Sequence, residues 1–501
     1  MAQVKDLTAT NKDYSVFLPS ISTFYSRALS KYRSDGNTFV ADDRVPNGFE
    51  FGVDGCDFLK KENAYYSYKW GLYSAGHAQL NLNKADVDDH MVQKRDRKNT
   101  FILGDSGGFQ IIKGVIKCDW GNFKTDDSLR QTILNWLEHT ADYSMILDIP
   151  TMAASEPYKA KTGIQDFNQC LDYTLFNADW FARNRLGKTK YMNVLQGRTP
   201  EEAQTWFDAV KHLPLDGWAF GGATKYNMLI TLRHIIQMRD QKLLEKGERD
   251  LLHFLGTSKL DWAVALTAIK RNLKQYVNED VEVMFDCASP FIATAKGQLY
   301  TQHVHRHDRF GYVMDSAIDN KMFAGSDIPF PWGSPIGERM AMGDVCHYAP
   351  GMLNKIGKEG KTSWDSFTYF LLMAHNVYQH IESVQRANTV TDAAVMLNSG
   401  TDVSEWAHFK ANKKANLSLS PWVPSKIIYM VNFIDELFKS ETPMSLLDSE
   451  PVQSLLSDFN GTKSVKSSSF AGLFDVVQND NDCDYNEEDA EEAEEFFENM
   501  E

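Results

Sequence analysis

The chain has 501 residues, a formal net charge of −16 and a hydrophobic content of 43%. This length suits one domain of about 250 residues or more with additions, and the hydrophobic content is sufficient for a large core. The chain has no run of about 18 apolar residues, and its first twelve residues are largely polar without a hydrophobic segment, so we expect neither a membrane-spanning helix nor a secretory leader. The six cysteines are scattered without a CxxC pair, from which we expect a reduced, cytoplasmic setting.

Short apolar runs recur between residues 100 and 290, and a residue suited to binding or catalysis follows each of them. The runs are 101–103 before Asp105, 143–147 before Asp148, 191–195 before Gln196, 218–220 before Gly221 and Gly222, 251–255 before Gly256, and 281–285 before Asp286. Helical patterns lie among them at 128–141, 200–212, 226–246 and 259–276. This alternation predicts an α/β fold with a (β/α)8 TIM-like barrel, whose functional residues gather at the C-terminal ends of its strands. An open doubly wound sheet also alternates, but it concentrates function at a switch point rather than at six strand ends.

The remaining segments predict additions to the barrel. The predicted divisions are an N-terminal extension with the first barrel elements at 1–95, the barrel at 96–390, a C-terminal helical region at 391–459, and a linker with a disordered acidic tail at 460–501. Strand signals are weak before residue 95, whereas helix patterns at 366–386 and 426–439 are clear. Residues 475–501 hold 13 Asp and Glu and no Lys or Arg, so the rest of the chain carries −3 and can form a local basic groove. The tail fits a solubilising role or competition with phosphates for that groove.

The most informative motif is DSGGFQ at residues 105–110, which follows the apolar run 101–103. It places the carboxylate of Asp105 at a strand end and continues with Ser106 and two glycines, beginning with Gly107, whose backbone can approach a flat ligand. Phe109 adds a ring on which a base can stack, so the motif predicts a nucleobase pocket. The motif resembles the DSGGFQ motif of tRNA-guanine transglycosylases, and MFDCASP at 284–290 resembles the segment that carries the nucleophilic aspartate of that family.

The resemblance covers residues 100 to 390 and implies a reaction for the two aspartates. Exchange of a base breaks the C–N bond at the anomeric carbon, in chemistry similar to retaining glycoside hydrolysis. By resemblance, Asp286 is the nucleophile that forms a covalent nucleotide intermediate, and Asp105 is the general acid and base. On the residues alone, either aspartate also fits a helix N-cap after a strand.

Recognition of guanine requires a carboxylate for its N1–H and amino donors and an N–H group for its O6 acceptor. Asp148 is the candidate carboxylate, and Gln196 with the backbone at Gly221 and Gly222 is the candidate for the acceptor. All of them resemble base-binding residues of the family, although Ile149 and Pro150 follow Asp148 where the family usually has Glu-Cys. The glycine pair also fits a tight turn and Gln196 a buried polar residue, and these alternatives stay open.

Two departures from the family argue against its usual tRNA substrate. The CxCxxC cluster of its structural zinc is missing, and Cys346 with the downstream His375 remains as a weak pair of candidate ligands, so we expect no cofactor and keep zinc as the lesser alternative. The arginines that the family uses on the anticodon loop are replaced by FIATAKG at 291–297.

A phage and bacterial branch of the same superfamily inserts 7-deazaguanine bases into DNA. The resemblance to that branch implies exchange of guanine in DNA for a base such as preQ0 or preQ1, in the host cytoplasm if the protein is phage-encoded. The alternatives are the same exchange on tRNA and a non-catalytic paralogue that binds nucleic acid or supports an active subunit.

Basic residues indicate where a nucleic-acid backbone would bind. The candidates are Lys94, Arg95, Arg97 and Lys98 before the first matched strand, His305 and Arg306 in the QHVHRHD stretch, and Lys410, Lys413 and Lys414 towards the C-terminus. Each lysine and arginine cluster equally fits a solvated face, and the alternating histidines also fit a metal site or an exposed polar face. The expected partners are therefore DNA, or tRNA as the alternative, and the incoming base, with a homodimer left open.

Overall fold

The structure is a computed structural model, and it describes residues 4–460 except 9–11, 34–43, 77–79, 223–226, 246, 248, 349–362 and 413–417. The strands of these residues are β1 (Lys5–Asp6), β2 (Val16–Pro19), β3 (Tyr66–Ser67), β4 (Trp70–Ser74), β5 (Phe101–Asp105), β6 (Tyr143–Met145), β7 (Lys190–Leu195), β8 (Gly217–Phe220), β9 (Leu251–Phe254), β10 (Glu282–Cys287), β11 (Gln298–His305) and β12 (Phe310–Ser316). The acidic tail predicted at 460–501 lies almost wholly outside the described residues.

The helices of the described residues are α1 (Thr23–Arg33), α2 (Leu82–Asp88), α3 (His90–Gln93), α4 (Gly108–Lys113), α5 (Ser128–Thr140), α6 (Tyr158–Thr162), α7 (Phe167–Asn184), α8 (Pro200–Val210), α9 (Met228–Asp240), α10 (Leu260–Tyr276), α11 (Ser289–Ala295), α12 (Met342–Val345), α13 (Ser366–Leu397), α14 (Trp406–Ala411), α15 (Ser425–Lys439), α16 (Pro443–Leu447) and α17 (Glu450–Asn460). None of them combines the length and the apolar character needed to cross a membrane.

Eight parallel strands form the barrel that the sequence predicts. From β4 to β10 each strand pairs with the next one in the chain, and β10 pairs with β2. A bridge between Ser20 and Leu72 joins β2 to β4, where the Ile21 N–H donates to the Leu72 carbonyl oxygen at 2.9 Å. The prediction of a (β/α)8 TIM-like barrel with helical C-terminal additions is therefore confirmed.

The six apolar runs become β5 to β10 because a barrel strand is buried on both faces. In β8, for example, Trp218, Ala219 and Phe220 are all fully buried. Two predicted helices have different bounds in the structure. Helix α9 is shorter than the pattern at 226–246, because the Asn227 side chain caps its first turn and the chain adopts a positive φ at Lys242. Helix α13 runs beyond the predicted end at 386 to Leu397.

The last barrel helix and the additions cover the outside of the barrel. Helix α13 packs between α10 and α1, and so completes the ring of helices next to β2. Between β10 and α13, strands β11 and β12 form an antiparallel hairpin that packs on α13 and α10. Helix α15 packs on α10 and α13, and α16 and α17 pack on α9.

A buried ion pair attaches the N-terminal part of the chain to the start of α13. The Arg44 guanidinium binds both carboxylate oxygens of Asp365, at 2.8 and 2.9 Å, and also the Thr368 hydroxyl at 2.9 Å. Burial acts to raise the pKa of Asp365, but the hydrogen bonds and charge of Arg44 outweigh it and hold that pKa below its usual value. The pair therefore stabilises the fold above about pH 4, where the unfolded carboxylate is ionised, and this contribution is lost as the pH falls.

The substitution Arg44→Met should lower the free energy of unfolding by about 3 kcal/mol at pH 7, because it leaves the Asp365 carboxylate buried without its cation. Urea denaturation followed by circular dichroism measures the change. The control is Lys60→Met, which removes the partly exposed partner of Asp54 and should cost less than about 1 kcal/mol. Equal losses in the two variants would contradict the assignment.

Candidate active site

The predicted functional residues lie at one end of the barrel. Asp105 ends β5, Asp148 follows β6, Gln196 follows β7, Gly221 follows β8 and Asp286 lies near the end of β10. Because the barrel strands are parallel, their C-terminal ends form a single rim. The structure therefore brings the predicted catalytic and base-binding residues to the same mouth.

Asp286 is held through one of its two carboxylate oxygens. Its Oδ1 atom accepts a hydrogen bond from the Gly256 N–H at 3.0 Å and lies 3.0 Å from Nε2 of His253. His253 is on β9 and is fully buried, and the Asp286 side chain is 9% exposed. The carboxylate is thus fixed in orientation while part of it still reaches the mouth. His253 was not among the predicted site residues.

Asp105 has a different kind of partner. The Ser74 hydroxyl donates to Asp105 Oδ2 at 2.6 Å, and Ser74 Oγ accepts from the Gly76 N–H at 3.1 Å. Ser74 ends β4 directly opposite Asp105 in the parallel register, which accounts for the contact. Ser74 was also missed from the sequence, since it lies in the N-terminal segment where the strand signal is weak.

Asp148 and Gln196 form a polar pair beside two glycines. The Gln196 Nε2 atom donates to Asp148 Oδ2 at 2.8 Å, and both side chains are buried. Within the described part of the chain, Gln196 Oε1 is buried and has no hydrogen-bond partner. A Cβ atom on Gly222 would lie 2.4 Å from this oxygen, and Gly222 has a φ of +55°. Gly222 therefore serves close packing against Gln196, and the Gly221 N–H already donates to the Leu195 carbonyl oxygen at 2.8 Å.

The DSGGFQ turn packs directly against this pair. A Cβ atom on Gly108 would lie 2.6 Å from the Asp148 carbonyl oxygen, and Gly107 adopts a φ of +77° as it leads into α4. The Ser106 hydroxyl donates to the Ile146 carbonyl oxygen at 3.1 Å, just before Asp148 in the chain. The glycines thus allow the turn after β5 to touch the loop after β6, and Asp105 and Asp148 belong to one continuous site.

Phe109 is more enclosed than a simple stacking platform. The residue is 8% exposed, the Lys113 ammonium lies 4.7 Å from the ring centroid, and the Tyr158 ring centroid lies 6.1 Å away. The Lys113 ammonium therefore lies over one face of the ring, and little of the residue is exposed. The stacking role of Phe109 stays a prediction.

The basic cluster before β5 lies at the wrong end of the barrel for this mouth. Residues 94–98 precede β5 and therefore lie at its N-terminal end, opposite Asp105. The prediction of a phosphate contact is wrong for Arg95, whose side chain is fully buried and binds Asp142 at 2.8 Å. Lys94 pairs with an aspartate at 3.3 Å, Arg97 donates to a backbone carbonyl, and Lys98 is exposed.

The other predicted phosphate contacts are distributed over the additions. Burial, together with the charges of His303 and Arg386, lowers the pKa of His305 to about 4, and the nucleic-acid contact predicted for this residue stays a prediction. Arg306 pairs with Asp308 at 3.0 Å in the turn of the β11–β12 hairpin. Lys410 pairs with an aspartate of α17 at 2.6 Å, and Lys413 and Lys414 lie outside the described residues.

The two weak zinc candidates are engaged in hydrogen bonds. His375 is buried; its Nε2 atom lies 3.0 Å from the Tyr300 carbonyl oxygen and its Nδ1 atom 2.8 Å from the Ser334 hydroxyl. Burial lowers the pKa of His375 to about 4, so the ring is neutral. The Cys346 thiol donates to a carbonyl oxygen at 3.3 Å. Among the residues with described positions, no three His, Cys, Asp or Glu side chains are grouped as a metal site.

Comparisons with known proteins do not assign the chain to a family. No protein-family model matches it, and no curated protein matches it. The barrel and the arrangement of polar groups at its mouth therefore come from the structure alone, and the reaction carried out there is a matter of proposal.

Zinc analysis should find well below one zinc per folded chain after treatment with a chelator, because both ring nitrogens of His375 are committed to protein partners. Inductively coupled plasma mass spectrometry on protein purified without added metal makes this measurement. Thermal unfolding with and without the chelator is the companion test, with no change in midpoint expected. A stoichiometric zinc whose removal lowers the midpoint would contradict the prediction.

Proposed function

We propose that this protein is a transglycosylase that replaces guanine in DNA with a 7-deazaguanine such as preQ0 or preQ1. The observation that carries the proposal is that two carboxylates with different partners share one barrel mouth. Asp286 has two nitrogen atoms at one oxygen, whereas Asp105 has a hydroxyl partner. Displacement at an anomeric carbon through a covalent intermediate needs two such groups, one to attack and one to move a proton.

The exchange takes place in two steps. First, Asp286 attacks the anomeric carbon, the C–N bond to guanine breaks with its electron pair going to the base, and the base takes up a proton from Asp105. Second, the incoming base loses a proton to Asp105, and its nitrogen displaces Asp286 from the anomeric carbon. Both bonds and the proton balance over the cycle, and no redox change occurs.

The polar pair of Asp148 and Gln196, which lies beside the DSGGFQ motif, supports selection of guanine as the base. Asp148 is the acceptor for the N1–H and amino groups of guanine, while the Gln196 amide and the Gly222 N–H serve its O6 atom. The Gly221 N–H is excluded from that role because it donates to Leu195. The burial of Asp148 and Gln196 keeps the site poor in water, so a base that leaves either of them unpaired binds weakly.

The segment after Pro290 favours DNA over tRNA. Where the family carries arginines for the anticodon loop, residues 289–295 form α11, and 289–294 are buried in this helix. The helix itself has no charged side chain to offer a polymer, and the exposed Lys296 that follows it is the one cation of the stretch 291–297. The alternative of a non-catalytic paralogue is less well supported, because such a protein has no need to hold both Asp286 and Asp105 in defined hydrogen bonds at the mouth.

The exchange assay tests the proposal directly. Purified protein is incubated with labelled guanine or preQ0 and with either plasmid DNA or total tRNA, and we expect label to enter DNA. Asp286→Ala should reduce incorporation by at least about a hundred-fold and abolish the covalent adduct seen on a denaturing gel, since an attacking group is worth several kcal/mol of barrier. Its control is Asp240→Ala, a substitution at the exposed end of α9. Turnover by Asp286→Ala above a hundredth of wild type would identify another nucleophile.

Asp148→Ala should weaken binding of guanine and of the 7-deazaguanine by a similar factor of about ten or more, because both bases lose the acceptor for the same two donors. Isothermal titration calorimetry with each free base measures the effect. Asp172→Ala, a change on the exposed face of α7, is the control. Unchanged affinity for both bases would remove Asp148 from the pocket.

A further inference from the structure

We propose that His253 is the positioning residue for the nucleophile: it donates its Nε2–H to Asp286 Oδ1 and so leaves Oδ2 as the attacking atom. The inference rests on the proposed function, because it concerns the atom of Asp286 that forms the glycosyl bond. It goes beyond that function in assigning a role to a residue that lies inside an apolar strand and that no motif marks.

The strand register explains why His253 reaches Asp286. Strands β9 and β10 are parallel neighbours, and His253 is paired with Met284. Asp286 is two residues further along β10, so its side chain leaves the same face of the sheet as that of Met284. The imidazole of His253 therefore extends along the barrel interior towards the mouth, where Nε2 lies 3.0 Å from Asp286 Oδ1.

The surroundings of the ring select one tautomer. His253 is fully buried, and its Nδ1 atom has no hydrogen-bond partner among the described residues. A proton on Nδ1 would be a buried donor without an acceptor, whereas a proton on Nε2 is bound by the carboxylate. The neutral ring with its proton on Nε2 donates a hydrogen bond to Asp286, and only the acceptor atom Nδ1 is left unpaired. Packing alone would favour an apolar side chain at this position, because an unpaired polar atom in a core lowers stability.

The contact with Oδ1 supports both steps of the exchange. While the glycosyl ester exists, Oδ2 is bonded to the anomeric carbon and Oδ1 is the carbonyl oxygen. When either base displaces Asp286, negative charge returns to the carboxylate, and the Nε2–H of His253 and the Gly256 N–H stabilise it at Oδ1. By microscopic reversibility the same donors hold the carboxylate in place for its attack, so the effect is on the rates of bond exchange and not on the affinity for the base.

Two substitutions with side chains of similar length distinguish the hydrogen bond that His253 donates from the space that its ring fills. His253→Gln keeps an N–H donor near the position of Nε2, whereas His253→Met fills the space without a donor. We expect the Met variant to lower kcat and the single-turnover rate of adduct formation by about ten- to a hundred-fold, the factor for losing a hydrogen bond to a charged group. The Gln variant should stay within about threefold of wild type, and KM for the base should change less than about threefold in both. His234→Met is the matched control, since His234 is equally buried on α9, away from the mouth.

The outcomes distinguish this inference from the function on which it rests. An active wild type with a Met variant of equal rate overturns the role of His253 alone, as does a folded Gln variant that is as slow as the Met variant. If the Met variant does not fold, the Gln variant decides by its own rate. A wild-type protein that incorporates neither base into either polymer overturns the proposed function, and the role of His253 with it.

Discussion

The closure of eight parallel strands is the constraint on which the rest of the molecule depends. Because every barrel strand runs in the same direction, residues from distant parts of the chain meet at one rim. The joint between β2 and β4 is narrow, since it consists of a bridge at Ser20 and Leu72 and the hydrogen bond from Ile21. Without it, Asp286 on β10 and Asp105 on β5 would lie at separate positions along an open sheet and could not share one mouth.

Polar groups at the rim are costly to bury, and their partners show how the mouth is organised. Asp286 and Asp148 each pair with a side chain from an adjacent strand or from the loop after it, namely His253 on β9 and Gln196 after β7. Some atoms remain unpaired among the described residues, including Gln196 Oε1 and Gln110 Oε1. Both belong to residues next to the proposed base pocket.

The sequence predicts most of the barrel strands. It misses features whose sequence pattern is weak or is equally typical of another structural role. Strands β5 to β10 are recognisable because both of their faces are buried and each run ends in a polar residue or glycine. Strand β2 is only four residues long and ends in Pro19, so no periodicity stands out. His253 was missed because it is enclosed in the apolar run 251–255, which is typical of a core strand. Arg95 was assigned to a surface because a count of charges cannot show that its guanidinium is fully buried against Asp142.

The two aspartates have different hydrogen-bond partners, and each partner suits the task that is proposed for its aspartate. N–H donors at one oxygen, as at Asp286, bind a carboxylate most strongly when it is charged, which suits a group that attacks and leaves as an anion. A hydroxyl is both a donor and an acceptor, so Ser74 can remain bound to Asp105 whether or not the carboxyl group carries a proton. A general acid and base must pass through both states in each cycle, and it needs a partner that tolerates the change. Strand β4 lies beside β5 and supplies Ser74 to Asp105, while β9 lies beside β10 and supplies His253 to Asp286. These two partners give the two carboxylates different surroundings.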